Sequence, residues 1–155
     1  MSESIGIILR AVHDGERALG EALLAVAERH RDDHEIHHVA RDVARWSHEH
    51  AVRLADVGRD YALDLPGPPA REKREESGAV LGPQPGLVLL TDLRDLHLAA
   101  CENSLYWEML SQGARAAKDS RLLEVTTFCH QRTRRQIRWT GSVITTLSPQ
   151  LLTTS

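Results

Sequence analysis

From His34 to His50 the chain reads HEIHHVARDVARWSHEH, which holds five of its nine histidines in seventeen residues. Imidazole nitrogens at this density suit a transition metal or proton transfer. Carboxylates are interleaved, and Glu35-x-x-His38 has the spacing that sets both side chains on one side of a helix. The segment is either a ligand-bearing face or the wetted face of an amphipathic helix.

Helical geometry decides between these for most of the histidines. At about 100° per residue, the apolar stripe of the segment is Ile36, Val39, Val43, Trp46, Leu54, Val57 and Tyr61. His50 falls on that stripe, between Trp46 and Leu54. His34, His37, His38 and His48 fall on the far side, as do Glu35 and Glu49. The dense string is therefore mostly a polar face, and His50 is the histidine with a core address.

The same projection applies to the rest of the chain. Ile5, Ile8, Val12, Leu19, Leu23 and Val26 form a stripe with Glu16 on it, and Glu21 and Glu28 off it. A carboxylate in mid-stripe is costly without a partner. Further on, Leu89, Leu93, Leu96, Ala100, Trp107 and Ala114 form a stripe with His97 near it, Glu108 on its flank and Glu102 pointing away. Last come Leu122, Val125, Cys129, Val143 and Leu147, with Arg132 and Gln136 between them and His130 on the outer flank.

These stripes need four helices. The caps Asp32/Asp33 and Asp119/Ser120 divide the chain, which gives helices at about 4–30, 33–62, 87–117 and 120–147, with Pro149 as the stop. The stretch at about 63–86 carries five of the six prolines and reads as a crossover loop, with room for a short helix at 70–77. Residues 1–155 make one domain. The expected fold is all-α: two antiparallel helix hairpins joined by one long crossover.

That architecture resembles the ferritin-like superfamily over nearly the whole chain. The tail RRQIRWTGSVITTLSPQLL looks like small ferritin-like proteins of actinobacteria. The resemblance implies two metals in the bundle centre, held by Glu from helices 1 and 3 and by Glu-x-x-His from helices 2 and 4. Glu16 matches the helix 1 carboxylate. Glu108 serves for helix 3 only if that helix rotates. Position 52 is Val where the pattern has His, and Glu124 is followed three residues later by Thr127, so four of the six ligands lack a match.

Counted along the helices, Glu16, His50, His97 and Gln136 fall near one height, with Arg132 about one turn away. Two readings follow. Glu16, His50 and His97 have the composition of a two-His, one-carboxylate iron or manganese site that handles oxygen or peroxide, supported by Gln136 and Glu108. Alternatively, Glu16 pairs with Arg132 or His50 in a buried network that fixes helix register. With the network, the protein works by binding, and whether it is an enzyme stays open.

Composition narrows the partners. A net charge of −3 draws the chain to neither nucleic acid nor membrane, and no apolar run reaches membrane-spanning length. Seventeen arginines to two lysines, with abundant alanine, suggest a GC-rich bacterial genome. Cys101 and Cys129, with no leader in view, point to free thiols in the cytoplasm. Trp46, Trp107 and Trp139 read as packing residues with satisfied N–H groups. Arg134, Arg135 and Arg138 on the outer side of helix 4 form a partner surface or a solvated face. Outward Leu105, Met109, Ile7 and Leu24 suggest a dimer or another protein partner. No phosphate loop, nucleophile elbow or Cys-x-x-Cys pair is present.

Overall fold

The computed structural model describes residues 2–66 and 79–154. The chain is all-helical there, with no strand among the described residues: α1 (Glu3–Arg29), α2 (His34–Gly58), a 3₁₀ turn (Arg59–Tyr61), α3 (Pro85–Ala116) and α4 (Ser120–Thr153). The short helix expected at 70–77 lies outside the described residues.

Local chemistry sets the starts. Ser2, Asp33 and Asp119 each accept a hydrogen bond from the backbone N–H three residues on, at 3.3, 3.1 and 3.0 Å. Each satisfies one of the N–H groups a helix start leaves free. Helix α3 starts two residues earlier than expected because Pro85 takes the first helical position, where its missing N–H costs nothing.

Two ends differ from the sequence expectation. Helix α2 stops at Gly58, followed by the 3₁₀ turn. Ala62 then adopts a left-handed conformation (φ 58°), and the Leu63 N–H returns to the Gly58 carbonyl at 3.0 Å. The fold-back buries Leu65, whose Cδ1 lies 3.1 Å from where a Gly58 Cβ would stand. Helix α4 does not stop at Pro149 but runs to Thr153. Tertiary packing holds that last stretch: Leu151 lies against Gly86, its Cβ 3.2 Å from where a glycine Cβ would stand. The Thr153 hydroxyl also donates to the Pro149 carbonyl at 2.7 Å.

Helix α1 packs on α2 and α3, and α4 packs on α3 and α2. Cross-helix pairs set the register. Ala27 meets His37 and Glu16 meets His50. Arg29 meets Asp92 and Glu16 meets Asn103. His97 meets Thr140 and Ser104 meets His130. Arg132 meets Glu49 and Arg121 meets Asp56. In each of these four contacting pairs, residue numbers rise on one helix as they fall on the other.

The interior is divided into two apolar clusters. One is built around Leu19, Leu23, Ile36, Val43, Leu93 and Leu96. The other is built around Leu9, Val12, Leu54, Trp107, Leu110 and Leu122. No described helix is long and apolar enough to cross a membrane.

Candidate functional site: the polar layer between the two cores

The division is made by polar side chains. Glu16 and His50 are both 0% exposed, and Asn103 and Gln136 are 1% and 2% exposed. Helix periodicity brings them inward. Glu16 lies between Val12 and Leu19, His50 between Val43 and Leu54, and Asn103 between Ala100 and Trp107, each on the buried stripe of its helix.

Glu16 is the hub. Its Oε2 lies 2.8 Å from His50 Nδ1, and its Oε1 accepts from Asn103 Nδ2 at 3.2 Å. Both carboxyl oxygens are thereby matched inside the protein, as a buried carboxyl group requires. One proton lies between Glu16 and His50. The position of Asn103 depends on a backbone approach from α1. Its Oδ1 is 2.1 Å from where a Cβ on Gly15 would stand, so any larger residue there requires the Asn103 side chain to move.

A second polar group lies one turn further along α2. Gln136 Nε2 donates to the Val43 carbonyl and to the Ser47 hydroxyl, both at 3.0 Å. Thr133 and Thr140, both buried on α4, turn their hydroxyls onto their own helix at Cys129 and Gln136. Thus α4 closes the layer with amide and hydroxyl groups.

Of the expected metal set, the structure joins Glu16 and His50 and leaves His97 out. Six residues separate His97 from Asn103, which is roughly 9 Å along α3. The His97 ring faces α4, its Nδ1 2.8 Å from Thr140 Oγ1 and its Cε1 3.5 Å from a Cβ position on Gly141. Arg132 does not reach Glu16. It pairs with Glu49 and lies over the Phe128 and Trp46 rings, 4.6 and 5.5 Å from their centroids. The hydrogen bond from Arg132 holds the Glu49 carboxyl below its usual range. Glu108 is exposed and accepts from Gln112 at 3.0 Å. Among the described residues, no group of three or more His, Cys, Asp or Glu side chains is placed to hold a metal ion.

His34 and His38 are exposed as expected, and His37 reaches the Ala27 carbonyl at 2.8 Å. His130 departs from its expected outer position. It is 7% exposed, with Nε2 2.8 Å from Ser104 Oγ. Burial, then Arg134, lowers its pKa. His13 escaped the sequence reading although it lies beside Val12 on a buried face. It is 1% exposed, and its Nδ1 has no hydrogen-bond partner. Burial, then the charge of Arg17, lowers its pKa. Asn103 was also missed, although its place three residues after Ala100 and four before Trp107 is the signal of a core position.

Some buried atoms stay unpaired. His50 Nε2 and Gln136 Oε1 have no partner, and neither do the indole N–H groups of Trp107 and Trp139. The expectation that these indoles would be satisfied is therefore corrected, because shape packing fixes the rings. The Trp107 and Phe128 rings stand edge-on to His50, with centroids 6.0 and 6.5 Å from its own. Cys129 is buried, and desolvation followed by the Glu16 charge raises its thiol pKa far out of the reactive range.

Chemically, the layer offers one imidazole nitrogen in apolar surroundings. The carboxyl group beside it is already committed to two partners. Compared with known proteins, the chain matches no family model, no curated protein and no solved structure.

Proposed function

We propose that the chain is a ferritin-like bundle that lacks a complete di-metal ligand set and works by binding, to itself or to a protein partner. The architectural part is supported by the cross-helix pairs. Helices α2 and α3 both run against α1, and so run the same way as each other. Two antiparallel hairpins joined by one crossover would give these directions. Cys101 and Cys129, both unpaired, support a reducing, cytoplasmic setting.

One observation carries the functional part. Glu16, the side chain most suited to a metal, is satisfied by His50 and Asn103. The residues present do not fit a di-iron or di-manganese centre, which needs carboxylates on every helix. A buried layer whose carboxyl group is matched in this way fixes helix register, and function is left to the exposed faces.

The runner-up reading, a reduced iron or manganese site, draws on the unpaired Nε2 of His50, because a metal-binding histidine commonly gives its other nitrogen to a carboxylate. Elemental analysis separates the two. Untagged protein, expressed with iron and manganese supplied and purified without chelator, is expected to hold less than about a tenth of an equivalent of either metal. Near-stoichiometric metal that disappears in Glu16→Ala would overturn the binding reading.

A further inference from the structure

We propose that the outer face of α3 and α4 docks a second copy of this chain about a two-fold axis. Glu102 and Glu108 of α3 in each copy, which flank its apolar strip, meet the arginines of α4 in the other. This rests on the binding reading above and names its partner.

Helix α3 is apolar on two sides. Its buried side fills the cores, and Leu98, Leu105 and Met109 on the opposite side are 55%, 62% and 51% exposed. Spacings of seven and four residues place these three on one strip, roughly 16 Å long, the pattern a helix shows when another helix packs on it. The pairs His97–Thr140 and Ser104–His130 set Glu102 level with Arg134 and Arg135, and Leu98 level with Arg138.

Alongside the strip, charge is sorted by helix; exposed Glu124 of α4 and Arg115 of α3 lie beyond its Met109 end. Glu102 and Glu108 are exposed on α3; their hydrogen-bond partners are Tyr106 and Gln112 of the same helix, and Glu108 also lies 4.0 Å from His130 of α4. Arg134, Arg135 and Arg138 are exposed on α4, and the ion pairs among the described residues use other arginines. An acidic partner would suit α4 and be repelled by α3, and a basic partner the reverse. A second copy turned by a two-fold rotation satisfies both strips at once, because in such an interface each contact occurs twice. The apolar strip then lies against the aliphatic stems of the opposing arginines.

The footprint limits the strength. A face two helices wide and about 25 Å long covers roughly 500 Å² per copy, below the roughly 800 Å² per partner of a tight standard interface. The dimer is reversible, with a dissociation constant on the order of micromolar, and it weakens as salt screens the charges.

The test is sedimentation velocity on the full chain from about 1 to 500 µM, a range that brackets the expected constant. Wild type is expected to shift from monomer to dimer. Arg134→Glu/Arg138→Glu and Glu102→Arg/Glu108→Arg, each with unchanged circular dichroism, are each expected to weaken self-association at least about tenfold. An equimolar mixture of the two variants is expected to restore a dimer at wild-type strength. Monomer throughout the range would overturn this inference and leave the binding reading to another partner. A dimer indifferent to both reversals, or a mixture that stays monomeric, would also overturn it. Stoichiometric metal would sink the binding reading whether or not the dimer forms.

Discussion

The middle layer and the outer face of α4 use similar polar chemistry in opposite ways. In the layer, Glu16 meets His50 and Asn103, and the partners come from three different helices. On the outer face, Arg134, Arg135 and Arg138 point to solvent, and the acids beside the apolar strip, Glu102 and Glu108, lie on α3. An interior carboxyl group matched on both oxygens ties helices into one register. Exterior polarity left incomplete by the monomer is a means of recognition.

The largest expected effect breaks the interior side of this comparison. Glu16→Ala leaves the His50 ring and the Asn103 amide buried without their acceptor and opens a cavity, at a cost of about 3–5 kcal/mol. The denaturant midpoint measures it. Glu16→Leu/His50→Phe, which removes both members of the pair, is expected to recover more than half of that loss. A double variant no more stable than Glu16→Ala would show that the pair is not a unit.

Next is the support under the layer. Gly15→Ala would put a methyl group where Asn103 Oδ1 sits, and overpacking of this kind costs about 1–3 kcal/mol. In an Asn103→Ala background the same change has room, and alanine's better helix propensity favours it by about 1 kcal/mol. A double-mutant cycle is therefore expected to show strong coupling. Additive effects would mean that Asn103 moves aside freely.

A smaller effect concerns pH. The pKa of His13 is lowered, chiefly by burial. Above its ordinary value of about 6.5, His13 is neutral folded and unfolded, and stability is unaffected. As pH falls below that value the unfolded chain takes up the proton first, so stability declines. Between pH 7.5 and 5.5 the urea midpoint is expected to drop, and His13→Leu to flatten the slope; His130, also lowered, supplies what remains. An unchanged slope in His13→Leu would locate the titration elsewhere.

The smallest effect on stability belongs to the outer face. Arg134→Glu/Arg138→Glu should alter unfolding free energy by less than about 0.5 kcal/mol, as exposed substitutions usually do, while self-association changes strongly. A large loss of stability would mean these arginines serve the fold.

The sequence carried the helices and the inward place of Glu16, His50 and Gln136, because one-sided burial leaves a helical period in the residue order. It also separated His50 from His34, His37, His38 and His48. What it could not fix was height and rotation. His97 and His50 are both near core stripes, yet the pairing of His97 with Thr140 depends on how α3 is set against α4. Arg132 lay on the right helix, but its length lets it reach outward to Glu49 and leave Glu16 to Asn103. The approach of Gly15 to the Asn103 side chain is a distance between two helices, and no spacing along one helix encodes it. Pro149 misled because a local rule about proline was outweighed by the packing of Leu151 on Gly86.

That last contact has a mechanical consequence. Ile5, near the start of α1, lies beside Gly113, near the end of α3, while Leu151 at the end of α4 lies beside Gly86 at the start of α3. The two ends of the chain therefore emerge at opposite ends of a rod roughly 40 Å long. Tension between Ser2 and Thr154 would run parallel to the helix axes and load the contacts along their length in shear. Unzipping them turn by turn would need a pull from the side.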